Sequence, residues 1–182
     1  MKIKIALFLL FVVFSCFSCQ YSEPTIHHLF NSYFVPNKAK VRTEDSKHFY
    51  IKFYGEEIKE GSTQFTSLSK EFGDTGENRP LTLPPYPKPY NITGLRIIQS
   101  VNGETKDVSA EFIISFTDYS RYVASKYSIG IAPPVKKRVN EMTEHDLKWL
   151  FTEFYLQSLI KDNTKLSLIV DLKDAKALVV EL

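Results

Sequence analysis

The chain has 182 residues, 43% hydrophobic and 24% charged, a composition that suits one globular domain and excludes a disordered chain. Lysine and arginine number 23 against 21 acids, and Lys2 and Lys4 of the acid-free N-terminal stretch supply that excess. The remainder is formally neutral, without the surplus that a nucleic-acid partner demands. Both cysteines, Cys16 and Cys19, lie in the same stretch, so the rest of the chain has no disulfide framework, thiolate zinc site or catalytic thiol.

Met1–Lys4 is a short cationic segment, and Ile5–Phe14 is an uninterrupted apolar run. The run is too short to cross a bilayer as a helix, which needs about 20 residues. It reads as a secretory signal peptide. Its end reads Val13-Phe14-Ser15-Cys16 and then Cys16-Phe17-Ser18-Cys19, each with a small serine before a cysteine. This resembles the lipobox of bacterial lipoproteins. The resemblance implies a diacylglycerol thioether on one cysteine, cleavage just before it and an acylated N-terminus. Cys16 is preferred because Val13 supplies the aliphatic residue three positions earlier; Cys19 is the alternative, and a signal cut without lipidation is the other. Acyl chains contribute about 0.8 kcal/mol per buried methylene, so such an anchor holds. Neither cysteine is followed by aspartate, which in lipoproteins of Gram-negative type implies the outer membrane. The periplasmic and exterior faces stay open, since Glu23 alone is a poor acidic export tag.

Residues 20–43 read as tether and lead-in. Tyr21-Ser22-Glu23-Pro24 is linker-like. The adjacent His27 and His28 point to opposite faces of any strand, so they do not chelate one metal. His48–Tyr54 is the first strong strand. Phe49, Ile51 and Phe53 share one face; His48, Tyr50, Lys52 and Tyr54 share the other. Gly55 is expected to end it.

Glu56–Tyr90 is expected to be irregular, broken by Gly61, Gly73, Gly76 and a run of prolines. Asp74-Thr75-Gly76 matches the aspartic-protease triplet. That chemistry needs two carboxylates sharing a proton, and there is one triplet with polar neighbours, so it reads as a turn. Leu83–Tyr90 should be extended, polyproline-like backbone, stiffening a connection over a sheet edge.

Asn91–Ser100 resumes strand character. Asn102-Gly103 is a hairpin turn, and Asp107–Thr117 is expected to be the returning partner, with Phe112, Ile114 and Phe116 inward. Asp118–Asn140 reads as a tyrosine-rich loop, and Lys136-Lys137-Arg138 within it as a solvated turn. Tyr86, Tyr90, Tyr119, Tyr122 and Tyr127 are candidates for a ligand surface, since sugar CH groups stack on rings while nearby polar groups orient hydroxyls. The same tyrosines would also serve to close the ends of a sandwich.

Thr143 with Asp146 three residues on is a capping-box-like helix start. A short helix to about Leu150 is expected, with Trp149 as a core or rim anchor; residues 152–160 fit both a helical and a strand face, with a strand preferred and helix the alternative. Lys165–Leu182 reads as a final hairpin. Leu166, Leu168, Val170 and Leu172 go up, Lys173-Asp174 makes the turn, and Leu178, Val180 and Leu182 return.

These elements predict a mainly β fold: a two-layer antiparallel β-sandwich with one short helix and a long proline-rich irregular segment. The organisation is a leader over 1–19, a tether over 20–43 and one domain over 44–182. Tyr90–Tyr127 and Phe154–Leu182 resemble in strand spacing the Ig-like domains of uncharacterised lipoproteins of Bacteroidetes-type bacteria, a resemblance that implies no activity. The expected function is a non-enzymatic binding or structural module of the cell envelope. It would be anchored by lipid, need no cofactor or metal, and have an envelope protein or glycan as partner. A carbohydrate-binding accessory module is the alternative. A hydrolase would require a nucleophile, a carboxylate and one of His27, His28, His48 or His145 to converge.

Overall fold

A computed structural model of the protein describes residues 26–28, 30–77, 87–116, 134–161 and 165–182. The leader, with Cys16 and Cys19, lies outside the described residues, as do the first residues of the tether. Among the described residues no helix is long and apolar enough to cross a membrane.

The strands form two main sheets. The first has six strands: β2 (Ser32–Asp45), β3 (His48–Lys59), β5 (Pro87–Pro89), β8 (Phe112–Phe116), β9 (Val135–Arg138) and β10 (Glu153–Ser158). Their spatial order is β5-β2-β3-β10-β8-β9. The second has four, in the order β12-β11-β6-β7, from β6 (Ile92–Val101), β7 (Glu104–Asp107), β11 (Leu166–Leu172) and β12 (Leu178–Glu181). A small pair joins β1 (Ile26–His28) to β4 (Thr75–Glu77). The helices are α1 (Thr63–Phe72) and α2 (Glu144–Lys148).

The main core lies between the two sheets. Phe49, Ile51 and Phe53 of β3, Phe112 and Ile114 of β8, and Phe154 and Leu156 of β10 face Leu95 and Ile97 of β6 and Leu166, Leu168 and Val170 of β11. Each such side chain contributes about 1.5–3 kcal/mol by leaving water. The period-two alternation that predicts β3 and β11 is the pattern of their burial, and the burial of β10 settles residues 153–158 as strand. The fold is thus mainly β, with two packed sheets, as a sandwich requires.

Several expectations are corrected. Residues 32–43, expected as lead-in, belong to β2, the longest strand described. Its pattern is obscured by Pro36, which sits where the pairing with β3 shifts register between Pro36 and Lys38. A bulge is one of the few places a sheet accepts proline. Gly55 does not end β3; it lies opposite Pro36, and a Cβ there would collide with the Val35 carbonyl. The glycine is therefore a close-approach residue inside a strand that continues to Lys59.

Residues 56–90 are not wholly irregular, and among the described residues there are two α-helices rather than the one expected. In α1, Phe65, Leu68 and Phe72 fall on one buried face, Ser62 caps the start by accepting from Phe65 N at 3.1 Å, and Gly73 closes it in the left-handed region at φ 63°. Pro87–Pro89 pairs in parallel with Ser32–Phe34, so the first sheet is not purely antiparallel.

The Asn102-Gly103 turn is present, with φ 54° and 86°, yet the strand that returns from it to pair with β6 is only Glu104–Asp107. Phe112–Phe116 crosses to the six-stranded sheet and pairs with β10 and β9, so the long hairpin partner is corrected to a short one. Lys136-Lys137-Arg138 is not a turn but the body of β9. The capped helix, the strand after it and the final hairpin form as expected, with β11 pairing β12.

Candidate functional site

Of the tyrosines chosen for a ligand surface, Tyr86, Tyr119, Tyr122 and Tyr127 lie outside the described residues. Tyr90 is described and half-buried, packed against an aromatic cluster with its hydroxyl 3.4 Å from Gln64 Nε2. That ring braces a core more than it presents a platform.

The cluster it braces is a second core, separate from the first: Phe30, Tyr33, Phe65, Leu68, Phe72 and Phe151. It is built where α1 lies across the start of β2, and it holds polar groups. Asp74 of the protease-like triplet is not in a turn at the surface. It is fully buried, accepting from Tyr33 Oη at 2.7 Å and Phe30 N at 3.2 Å. Burial first, then the bond to Asp74, pushes the Tyr33 hydroxyl far above its ordinary range. Lys88 is also fully buried, donating to Pro89 O at 2.7 Å and lying 4.3 Å over the Phe72 ring.

The histidines do not converge. His28 Nδ1 is 3.1 Å from Ser69 Oγ and 4.0 Å from Asp74 Oδ2, and its Nε2 is 3.5 Å from Glu60. A hydrolytic triad needs the nucleophile and the buried acid on opposite ring nitrogens. Here both meet Nδ1, and Ser69 is 1% exposed, out of reach of a substrate. His48 pairs with Asp45 at 2.8 Å on a hairpin end. His145 stands against Trp149 at 6.5 Å. For His27 only the backbone pairing with Gly76 is described. Among the described residues no group of three or more histidine, cysteine or acidic side chains could hold a metal.

The strongest concentration of chemistry is the open face of the six-stranded sheet. The alternation that turns Phe49, Ile51 and Phe53 inward turns Tyr50, Lys52 and Tyr54 outward. Cross-strand register then sets them in rows. One row reads Arg42, Tyr50, Tyr155, Ser115, Lys136 from β2 to β9. The next reads Lys40, Lys52, Glu153, and the third Lys38, Tyr54. Tyr54 and Tyr155 are 40% and 45% exposed, large rings on central strands.

These groups hold one another in place. The Tyr50 and Tyr155 rings are 5.1 Å apart. The Arg42 guanidinium lies 5.0 Å over Tyr50, and the Lys40 ammonium 5.3 Å over Tyr54. Tyr50 Oη donates to Glu153 Oε2 at 2.6 Å, and that bond, with some burial, pushes its pKa up to about 12. A cleft of about 210 Å³ lies in the face, lined by His48, Ser115, Lys136, Tyr155 and Gln157 among others. A second, about 290 Å³, opens at the far end beside Lys52 and Tyr54.

Sequence reasoning set Tyr50 and Tyr54 on the outward side of their strand but did not single them out. The local signal was the outward alternation. The pairing of Tyr50 with Tyr155 depends on β10 docking beside β3, which no local pattern carries. No protein family, no curated protein and no solved structure matches the chain.

Proposed function

We propose that this chain is a non-enzymatic lipoprotein of the cell envelope, held at the outer membrane by a lipid on Cys16 or Cys19, whose domain binds a partner through the open face of the six-stranded sheet. The leader's lipobox-like ends support the anchor, and Phe17 and Gln20, where an inner-membrane signal would have aspartate, support the outer membrane. The observation that carries the binding role is the row Arg42, Tyr50, Tyr155, Ser115, Lys136. Exposed aromatic rings ordered by cations are the composition of a recognition surface. A carbohydrate ligand is the second reading, favoured by Tyr50, Tyr54 and Tyr155 on one face. An Ig-like arrangement of the strands is the finer fold assignment we carry with it, supported by two hairpin-built sheets packed together. The parallel β5–β2 pair departs from that form.

Two measurements test this in the full chain. Palmitate fed to expressing cells should label the wild type and one of the single variants Cys16→Ala and Cys19→Ala, and should not label the double variant. An unlabelled wild type would remove the anchor. The detergent-solubilised chain should sediment with envelope fragments, and Tyr50→Ala/Tyr155→Ala should weaken that retention by about tenfold, the equivalent of about 1.4 kcal/mol. Equal retention in a folded double variant would remove the face.

A further inference from the structure

We infer that the open face of the six-stranded sheet takes an acidic polysaccharide, a chain of carboxylated or sulfated sugars lying across the strands over Tyr50 and Tyr155 with its anionic groups on Arg42 and Lys136. The inference rests on the reading of that face as the binding surface and adds the class of ligand.

The argument begins with charge. The chain outside the leader is formally neutral, yet its charges are not evenly spread. The three rows carry Lys38, Lys40, Arg42, Lys52 and Lys136, and one carboxylate inside them, Glu153. That carboxylate is already engaged by Tyr50 Oη at 2.6 Å and Lys52 Nζ at 3.6 Å. Glu44, bonded to Arg42 at 3.0 Å, Asp45, paired with His48 at 2.8 Å, and Glu56 stand at the ends of the face. The basic cluster that overall composition argues against is therefore produced by register.

Geometry follows. The row from Arg42 to Lys136 crosses four strand spacings, about 19 Å at about 4.8 Å each. Cations mark both ends and two tyrosine rings occupy the middle. An extended chain laid along it meets rings where its CH faces can stack and cations where its acid groups fall. The cleft beside Tyr155 and Lys136 gives one end of the row depth.

A structural explanation accounts for part of this. Lysines on edge strands deter pairing with other chains, and β2 and β9 lie towards the edges of the sheet. That covers Lys38, Lys40 and Lys136. It does not cover Lys52 or the rings of the exposed Tyr54 and Tyr155 and the half-buried Tyr50, which lie on the central strands β3 and β10. Other polyanions fit less well. A lipid surface calls for exposed aliphatic or indole groups to enter the acyl boundary, and the rows offer phenols. Single-stranded nucleic acid stacks on rings but needs a denser cationic track than one with Glu153 at its centre.

The test uses the detergent-solubilised full chain and measures binding to polygalacturonate and dextran sulfate, with neutral dextran, a single-stranded oligodeoxynucleotide and phosphatidylglycerol vesicles as comparisons. One of the acidic glycans should bind best. Its affinity should fall by about tenfold in Arg42→Gln/Lys136→Gln and in Tyr50→Ala/Tyr155→Ala, and should fall as salt rises past the roughly 0.1 M at which a Debye length is about 10 Å. Thermal melts of both variants confirm that they fold, and Lys165→Gln, just before β11 of the other sheet, should bind as the wild type does. Preference for the oligonucleotide or the vesicles, or equal binding of neutral dextran, overturns the acidic-glycan class while leaving the face standing, provided the same variants weaken that binding. Acidic-glycan binding unchanged in both double variants overturns the face itself. No binding of any probe overturns the ligand class.

Discussion

Lys88 is the residue whose environment is most at odds with its chemistry. It has no exposed surface, and its ammonium shares the Phe72 ring with Lys148, at 4.3 and 5.3 Å. Burial, and then the Lys148 charge, lower its pKa to about 7. The unfolded chain keeps that proton to about pH 10.4. Between these values the unfolded state binds more protons, so stability rises with pH across that window and is lower on its acid side. Denaturant titrations should show a gain approaching about 1.4 kcal/mol per pH unit above about pH 7. Lys88→Met, of similar length and without charge, should flatten that slope and match or exceed the wild type at neutral pH. An unchanged slope would mean that other groups set it.

At the scale of elements, α1 shows why part of the fold escaped the sequence. Its apolar residues Phe65, Leu68 and Phe72 are spaced for a helix, but Ser, Thr and Lys between them lower the mean hydropathy, and Gly61 and Gly73 on either side read as breakers. Gly73 is the terminator of a helix, not a sign of none. The decisive residue at the other end is Ser62. Ser62→Ala should cost about 1 kcal/mol by chemical denaturation, and Ser62→Gly only a few tenths, because glycine still suits the cap. An effect of Ala no larger than that of Gly would show that the aromatic packing of α1 holds the helix without its cap. Asp74 teaches the same lesson. Read locally it was a turn residue; its role comes from Tyr33 and Phe30, more than forty positions away.

For the whole molecule, what was legible was local period. Leu166, Leu168, Val170 and Leu172 announce β11, and Phe49, Ile51 and Phe53 announce β3. What was not legible was which strand lies beside which. Phe112–Phe116 has a clean alternation but nothing in it says that it leaves its hairpin neighbour for the other sheet. β2 was hidden because a bulge at Pro36 breaks the period that would reveal it. The candidate site shared this fate: its rows exist only through register. The final hairpin, legible throughout, supports a test of the assembled fold. Leu178 and Val180 pack against the main core, and Leu182 N donates to Leu166 O at 3.0 Å. Deleting residues 179–182 should cost about 2–4 kcal/mol and lower the melting temperature. An unchanged melt would leave β12 without a structural role.

The place of β10 also imposes an order in time. It lies between β3 and β8, yet it is synthesised after both. Until the ribosome has passed residue 158, β3 and β8 each carry a bare edge, and the middle of the sheet is a gap. Such edges invite pairing with other chains, and closing the gap joins segments about a hundred residues apart, which slows folding. The tyrosine row is completed by the same event, since Tyr155 arrives on β10. The nascent chain therefore has no finished recognition surface, and acquires one only when its central strand, a late arrival, is seated.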